Sequence, residues 1–299
     1  MLAVKLHGHA KYEQQNFYAC KSYFIFDNRV VALGTGISND DSEHETATTL
    51  FQHTVPDSEV VEVNGEQINQ TGTDVSFKEA TTFMDPAGNR YFIPDGYNIR
   101  FLYDEQESNS QSDAAPTKGI FATALIEHGI SPQNQSYEYA IVIEAGDSNI
   151  PEYTVVQADT NSHIVLDNAT GKEGYAFFEP VEGLEHTLII ASDSPCMALA
   201  HKASMTKAYL SIVNPDLALY AGQDSDQIDE NGQQVEVSIY SRPWRYNLSM
   251  EQTVSIIVAG NWQLDGDYLD VTVESDGVNT QLTVTTIDAK PVLITLVSM

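Results

Sequence analysis

Basic residues are scarce in this sequence. Its 299 residues include 14 lysines and arginines against 43 aspartates and glutamates, which gives a formal net charge of −29 at pH 7. A surface this negative repels nucleic acids and anionic lipid headgroups, so neither nucleic acid nor a membrane is expected as a partner. Carboxylates with few lysines suit salty surroundings instead, where ions screen their mutual repulsion.

Long apolar runs are also absent. Runs such as Val254–Ala259 and Pro291–Val297 have the length of single strands, whereas a membrane helix needs about 18 apolar residues. The first residues lack the apolar core of a secretory signal. We therefore expect neither a membrane span nor an export signal in this chain.

Cysteine is nearly absent. Cys20 and Cys196 lie far apart and match no zinc or redox spacing. Two buried free thiols are the favoured interpretation, because free cysteine is among the most buried residue types. A single disulfide between them is the alternative.

The apolar residues that are present recur with a period of two, which is typical of β-strands. Tight turns are predicted at Asp27–Arg29 and at the Asn64-Gly65 dipeptide, a strong hairpin signal. Phe24–Phe26 and Ala140–Ile143 are apolar at every position, which indicates strands covered on both faces. No segment has a helical apolar stripe, so the sequence predicts an all-β protein.

The organisation of the chain changes along its length. Polar segments at 104–118 and 222–234 are predicted to be surface loops. Beyond residues 190 to 200 the predicted strands become short and evenly spaced, as in a small β-sandwich. We therefore predict two domains, residues 1–190 and residues 191–299.

Two motifs suggest ligand chemistry at first sight. Gly34-Thr35-Gly36 begins like a dinucleotide fingerprint, but the third glycine is missing and acidic residues follow, so a tight turn is favoured. The segment 224–232, with Asp224, Asp226 and Asp229, resembles a calcium loop but lacks the fifth-position ligand and the central glycine. A solvated acidic loop is favoured there, and likewise a turn at 265–267.

Histidines are the other candidate ligands. His7 and His9 would share one face of a strand, while His44 and His53 flank Glu45. Histidines with a carboxylate can bind zinc. No ligand spacing recurs, however, so surface or hydrogen-bonded histidines are favoured, and we expect neither a metal nor a cofactor.

A carbohydrate platform is conceivable near the C-terminus. Aromatic rings stack on sugars and arginine pairs with carboxylate or sulfate. The residues that would form it are Trp244, Tyr246, Trp262, Arg242 and Arg245. Core packing is the favoured role for either tryptophan.

Several stretches of the sequence carry a family resemblance. They are Lys21–Ile37, Glu45–Thr46, Thr48–Gln52, Val63–Gly65, Ser136–Tyr139, Gly174–Phe178, Pro195–Ala198 and Asn214–Leu217. Together they resemble the C-terminal β portion of polysaccharide lyase family 8, the chondroitin AC/ABC and hyaluronate lyases. The resemblance is strongest to the chondroitin ABC lyases, especially at Thr49–His53. One departure is that the usual Glu-Thr-Thr is lengthened here to Glu45–Thr49.

The resemblance implies a fold and a chemistry. The fold is a large antiparallel supersandwich of the galactose-mutarotase type, truncated here at its N-terminus, followed by a small C-terminal β-sandwich. The chemistry is β-elimination on a uronic acid-containing polysaccharide by Asn, His, Tyr and Arg of a helical toroid. Those positions have no counterpart in this chain, so no catalytic residue is assigned and the substrate-binding residues stay undefined. Glu45 lies in a family signature, where a buried or edge carboxylate that fixes a loop is favoured.

Two interpretations of function remain. In the first, the chain is the β part of a glycosaminoglycan lyase, inactive without a helical catalytic domain that is encoded separately or missing. The parent enzyme would act on chondroitin sulfate or hyaluronan outside the cell or in the periplasm, and an exposed apolar patch would mark the docking face. The alternative is a stand-alone, non-catalytic carbohydrate-binding or scaffolding protein. Because the charge is −29, binding of a polyanion would need a local basic cleft, which these few basic residues are not expected to form.

Overall fold

The computed structural model describes residues 1–8, 14, 16–56, 60–144, 151–217, 231 and 249–299. The described residues contain strands and connecting segments but no helix, which confirms the all-β class. None of them forms a helix that could cross a lipid bilayer. The chain divides into two compact units, Met1–Thr170 and Gly171–Met299. The domain boundary predicted at residue 190 stays a prediction.

The first unit contains the strands up to residue 167. They are β1 (Leu2–His7), β2 (Tyr18–Phe26), β3 (Arg29–Ser38), β4 (Glu45–Thr54), β5 (Val61–Val63), β6 (Glu66–Ile68), β7 (Thr73–Phe77), β8 (Thr81–Met84), β9 (Arg90–Ile93), β10 (Asn98–Asn109), β11 (Pro116–Ile130), β12 (Gln135–Val142), β13 (Tyr153–Ala158) and β14 (Ser162–Asp167).

Two antiparallel sheets of this unit face each other. One has eight strands in the order β1-β2-β3-β12-β9-β8-β5-β6, and the other has four in the order β4-β11-β10-β7. Their inner faces share one apolar core. Phe83 of β8 lies at its centre, with ring centroids 5.9 Å from Phe51 of β4 and 5.7 Å from Phe101 of β10.

The predicted turns form as expected. Asn64 and Gly65 join β5 to β6 with φ angles of +52° and +82°. Positive φ at both central residues is the conformation that matches the strand twist in a two-residue hairpin. Asp27 likewise has a φ of +55° in the turn between β2 and β3. Both hairpin predictions are confirmed.

The two runs predicted to be covered on both faces lie on β2 and at the end of β12. On β2, Ala19 packs in the core between the two sheets, whereas Ser22 points to the other face and is fully buried. The hairpin of β13 and β14 covers that other face, where His163 of β14 contacts Ser22. The prediction of stacked layers is therefore confirmed, although Ile25 and Ile143 within the two runs are exposed.

The predicted loop at 104–118 is wrong. Strands β10 and β11 pair in unbroken register from Asn98 opposite Glu127 to Asn109 opposite Pro116, so only residues 110–115 form the turn. The far ends of the two strands are exposed on both faces. Their polar composition therefore reflects a solvated hairpin arm rather than irregular backbone.

The predicted turn at Gly34-Thr35-Gly36 is also wrong, because all three residues lie inside β3. A Cβ atom on Gly34 would lie 2.1 Å from Cε1 of Tyr137, so the glycine makes room for the tyrosine ring. Gly36 has a φ of +65° and lies where the register with β2 shifts. Such bulges favour glycine because L residues seldom adopt positive φ.

One edge of the eight-stranded sheet carries an apolar stripe. Leu2, Val4 and Leu6 of β1 lie opposite Tyr23, Lys21 and Ala19 of β2, so they share the inner face of the sheet. Leu2 is nevertheless 55% exposed and Leu6 36% exposed. We call these three residues the β1 stripe.

The second unit is a smaller structure of nine described strands. Antiparallel neighbours follow the order β15-β17-β18-β23-β20 in one sheet and β16-β19-β22-β21 in the other. Buried and half-buried residues alternate along β18, β19 and β22, as in a two-layer sandwich. The strands are β15 (Lys172–Phe177), β16 (Ile189–Ser192), β17 (Cys196–Ser204), β18 (Lys207–Val213), β19 (Gln252–Ala259), β20 (Trp262–Leu264), β21 (Val271–Ser275), β22 (Asn279–Thr286) and β23 (Val292–Ser298).

Cys20 and Cys196 are both buried thiols that form no disulfide, so the favoured interpretation of the two cysteines is confirmed. In the second unit, burial raises the pKa of the Cys196 thiol to about 11. A thiol in such an environment is unreactive, because the thiolate is the nucleophile.

Candidate functional site

A groove of about 600 Å³ lies in the first unit, at the connection between β3 and β4. Its wall is the connecting segment 39–44 together with the first residues of β4, and Asn16 and Phe17 lie across from them. The segment coincides with the stretch that follows the family-like run Lys21–Ile37. The groove is therefore the candidate functional site.

Asn39 holds the groove segment in place. Its side chain is buried, its Nδ2 donates to Thr46 Oγ1 at 2.7 Å, and its Oδ1 accepts from the amide of Asp41 at 3.0 Å. Its backbone amide donates to the carbonyl of Pro132, and its carbonyl accepts from Gln133 Nε2. Asn39 thus ties the segment both to the start of β4 and to the turn before β12.

Asp41 organises the outer part of the segment. Its carboxylate accepts hydrogen bonds from the amide of Glu43 at 2.9 Å, the amide of His44 at 3.0 Å and His44 Nδ1 at 2.9 Å. These donors, the Glu43 amide first, lower the pKa of Asp41. Its carbonyl accepts from both the amide and the hydroxyl of Ser131. The groove is therefore rigid at its base although its side chains are exposed.

Glu45 lies on β4, the edge strand of the four-stranded sheet, which is one of the two positions expected for it. It is exposed at the first position of β4, opposite Ile130. Among the described residues its carboxylate takes part in no hydrogen bond or ion pair, so Asn39 and Asp41, rather than Glu45, fix the segment. The carboxylate faces solvent, where it can accept hydrogen bonds from groups outside the described strands.

The electrostatics of the groove are unfavourable for an acidic ligand. Four carboxylates line it, and no lysine or arginine among the described residues does. Negative charges at this density repel sulfate and uronate groups. The groove alone is therefore not a binding cleft for an acidic polysaccharide. The four carboxylates are those of Asp40, Asp41, Glu43 and Glu45.

A half-buried polar cluster includes residues further along β4 and on β11. His128 of β11 contacts Thr48 Oγ1 through its Nε2 at 2.9 Å, and its ring centroid lies 6.3 Å from that of Tyr137. Lys21 Nζ lies 5.6 Å from the Tyr137 centroid. Burial lowers the pKa of Lys21, and burial together with the charge of Lys21 lowers the pKa of His128 to about 4. His128 is therefore neutral at neutral pH.

Ser22 and His163 resemble a nucleophile and its base, but their surroundings exclude that role. Ser22 Oγ lies 2.7 Å from His163 Nδ1, and both residues are fully buried. Thr35 donates to the carbonyl of Asp159, so its oxygen accepts from His163 Nε2–H at 2.8 Å. Nδ1 then accepts from Ser22, which fixes a neutral imidazole. Burial lowers the pKa of His163 to about 4, so the chain of hydrogen bonds is structural.

The histidines singled out in the sequence are not gathered into a site. His7 is exposed on β1, His44 is exposed in the groove, and His53 is half-buried within β4. His9 lies outside the described residues. In the part of the chain that the structure describes, no group of three or more His, Cys, Asp or Glu side chains is placed to hold a metal ion.

The proposed sugar platform is only partly described. Trp262 is 2% exposed, and its Nε1 donates to the carbonyl of Ala259 at 2.8 Å, which confirms core packing for this tryptophan. Trp244, Tyr246, Arg242 and Arg245 lie outside the described residues, as do Asp224, Asp226 and Asp229 of the acidic loop. Asp265 and Gly266 form a bend beside β20, in agreement with the predicted turn.

Sequence reasoning did not single out His128 and His163. Each sits on a strand whose neighbours in sequence are mostly apolar, and that setting is the signal that could have marked them as buried. Their partners, Thr48, Ser22 and Thr35, come from distant strands. Only the sheet topology brings these groups together.

Comparison with known families and proteins identifies the fold. The super-sandwich domain of polysaccharide lyase family 8 matches residues 3–154. Chondroitin sulfate ABC exolyase of Proteus vulgaris is 47% identical over 99% of this chain and 30% of its own length. The enzyme of that name from Bacteroides thetaiotaomicron is 33% identical over 87% of this chain and 25% of its own length. The chain thus spans less than a third of these curated relatives.

Solved structures agree on the fold. Paenibacillus xanthan lyase superposes with a TM-score of 0.74 and 17% identity, over 99% of this chain and 27% of that one. Streptomyces coelicolor chondroitin AC lyase superposes with a TM-score of 0.67 and 15% identity, over 99% of this chain and 35% of that one. At these identities the likeness concerns the fold alone. With the family match and the close relative from Proteus vulgaris, the chain belongs to polysaccharide lyase family 8.

Proposed function

We propose that this chain forms the β portion of a lyase that cleaves a glycosaminoglycan, such as chondroitin sulfate or hyaluronan, by β-elimination. The observation that carries the proposal is the 47% identity to a chondroitin sulfate ABC exolyase, sustained over 99% of the chain. The aligned region includes the groove segment and the second unit as well as the core strands.

We further propose that the chemical step belongs to another part of the enzyme. Elimination needs a group that neutralises the uronate carboxylate, a base for the C5 proton and an acid for the leaving oxygen. His128 is half-buried and hydrogen-bonded to Thr48, and His163 is fully buried and hydrogen-bonded to Thr35. The exposed ionisable groups of the groove are four carboxylates, which repel the substrate, and His44, whose Nδ1 is hydrogen-bonded to Asp41. A helical domain would supply the cationic and acid–base groups.

The β1 stripe supports the presence of such a domain. Leu2, Val4 and Leu6 lie on the inner face of the eight-stranded sheet, yet Leu2 and Leu6 are exposed. Apolar side chains on an inner sheet face gain stability only when another element covers them. We propose that the helical domain packs against this stripe, as the resemblance to the lyases implies.

A chimera tests the proposed function. The matching residues of the Proteus vulgaris exolyase are replaced by this chain, and unsaturated uronide released from chondroitin sulfate is followed by ultraviolet absorbance. We expect product from the chimera and none from the chain alone. A folded chimera that releases no product, together with a chain that binds the polysaccharide, would instead favour a non-catalytic carbohydrate-binding protein.

A further inference from the structure

The register of the second unit aligns four polar and aromatic side chains in one row. Lys172 of β15 lies opposite His201 of β17, His201 lies opposite Tyr209 of β18, and Tyr209 lies opposite Thr295 of β23. Residues directly opposite in antiparallel strands project from the same face of a sheet. These four residues therefore share one face, although they are distant in sequence.

Tyr209 is the centre of this row. It is 44% exposed on a strand that pairs on both sides, so its backbone is held firmly. The His201 ring stacks beside it, with centroids 6.4 Å apart and planes 30° apart. Lys207, two residues earlier on β18, places Nζ 5.6 Å from the tyrosine centroid. A large aromatic ring is thus displayed in a fixed orientation with a cation beside it.

An exposed apolar side chain extends the face. Leu293 is 70% exposed and lies opposite Ser211, which is two residues after Tyr209. Residues two apart on a strand point the same way. We call the surface formed by Lys172, His201, Lys207, Tyr209 and Leu293 the Tyr209 face.

The charge of this face differs from that of the chain. The sequence has 14 lysines and arginines against 43 acidic residues. Two of these lysines, Lys172 and Lys207, nevertheless lie on this one face. Lys207 Nζ lies 3.4 Å from Asp265 Oδ2, and this carboxylate raises the pKa of Lys207. The lysine is therefore charged at neutral pH. Asp265 offsets part of this charge at close range, so the positive charge that the face offers to an anion is local and comes from Lys172 together with Lys207.

We propose that the Tyr209 face binds a segment of acidic polysaccharide. The Tyr209 ring and Leu293 would contact the apolar C–H surface of a sugar, while Lys207 and Lys172 would pair with its carboxylate or sulfate groups. Charge complementarity favours an acidic chain over a neutral one. The proposal depends on the proposed function only for the choice of polymer, because the face itself is defined by the second unit.

The test measures binding rather than cleavage. The full chain is applied to immobilised chondroitin sulfate, with immobilised dextran as the neutral control, and dissociation constants are measured by biolayer interferometry. We expect binding to chondroitin sulfate that weakens as salt is added, and no binding to dextran. Binding of the wild-type chain to neither polymer, or equally to both, would overturn the proposal.

Variants locate the binding surface. Tyr209→Ala and Lys207→Gln should each weaken binding about threefold to tenfold, the range expected for losing one ring contact or one ion pair. Tyr209→Phe keeps the ring and should bind within about twofold of wild type, which covers the case in which Tyr209→Ala does not fold. Lys290→Gln is the matched control, since Lys290 is an exposed lysine of the same unit paired with Asp288 at 2.9 Å.

The outcomes separate this proposal from the proposed function. If Lys290→Gln weakens binding as much as Lys207→Gln, the attraction is non-specific and the Tyr209 face is not the site. If the chain does not bind chondroitin sulfate, the proposal for the Tyr209 face is wrong, but product release by the chimera still tests the lyase function. If the chimera is inactive, the lyase function is wrong, but the effect of Tyr209→Ala on binding still tests the Tyr209 face.

Discussion

At the scale of single residues, His163 shows how burial decides a protonation state. Its ring accepts a hydrogen bond from Ser22 and donates one to Thr35, and all three side chains are at least nine-tenths buried. A proton added to this imidazole would introduce a charge where water cannot reach it. Burial therefore lowers the pKa of His163 from its usual value of 6.5 to about 4.

This pKa predicts how stability depends on pH. Because the folded pKa lies below the unfolded one, the contribution of His163 is complete above pH 6.5 and is lost as the pH falls towards 4. Between pH 7.5 and pH 4.5, wild type should lose about 2 to 3 kcal/mol more unfolding free energy than His163→Gln, whose amide cannot titrate. Urea unfolding at both values measures the difference.

The exposed histidine His7 provides the control. His7→Gln should follow the wild-type pH dependence, since the side chain lies exposed on β1. A His163→Gln variant that destabilises at low pH as steeply as wild type would contradict the assigned neutral state.

Gly34 gives a second prediction at this scale. An alanine Cβ would lie 2.1 Å from the Tyr137 ring, which is 2% exposed and enclosed in the core. Gly34→Ala should cost about 2 kcal/mol or more of unfolding free energy, since a filled core does not accept an added methyl group. Gly119→Ala is the control, because its Cβ would lie 3.4 Å from Phe121, an ordinary contact. Equal urea midpoints for the two variants would contradict the packing described.

At the scale of strands, the β1 stripe predicts an effect that appears only in the assembled enzyme. Leu6→Asp should change the stability of the isolated chain about as much as Val156→Asp does, because both side chains are 36% exposed. In the chimera it should lower the rate of product release about tenfold or more, since a carboxylate would be buried without a partner. Val156→Asp is the control, with the same exposure of 36% on β13. Equal rates from the two chimeras would contradict docking at the stripe.

Some strands and turns could be predicted from the sequence and others could not, and the reasons are physical. The Asn64-Gly65 hairpin was predictable, because local chemistry alone sets a two-residue turn. The hairpin arm formed by β10 and β11 was not, because polar residues on a solvated strand look like loop residues. Gly34 and Gly36 were misinterpreted, since the need for glycine there comes from Tyr137 and from a bulge.

The location of the candidate site could likewise be predicted from local sequence, whereas the contacts within it could not. The groove segment 39–44 could be located from the family-like residues around it, whereas the roles within it could not. Asn39 and Asp41 act through partners at residues 131–133, some ninety positions away along the chain. The Tyr209 face depends in the same way on the pairing of four strands.

At the scale of the whole molecule, the charge of the chain indicates that it supports the enzyme rather than carrying out the cleavage step. A chain with a net charge of −29 presents carboxylates at its groove, and the lysine pair of the Tyr209 face lies in the second unit. In this account the cleavage step therefore depends on groups that these strands do not provide, whereas the Tyr209 face holds another segment of the polymer. In this account the sheets position a helical domain and its substrate.

The most direct test of this account is the amount of unsaturated uronide that the purified chain releases from chondroitin sulfate, measured by ultraviolet absorbance beside the chimera. The account predicts no release above the blank for the chain at any concentration, and steady release for the chimera. Product that increases in proportion to the concentration of the chain alone would contradict it, because the described strands would then contain the acid and base of the elimination.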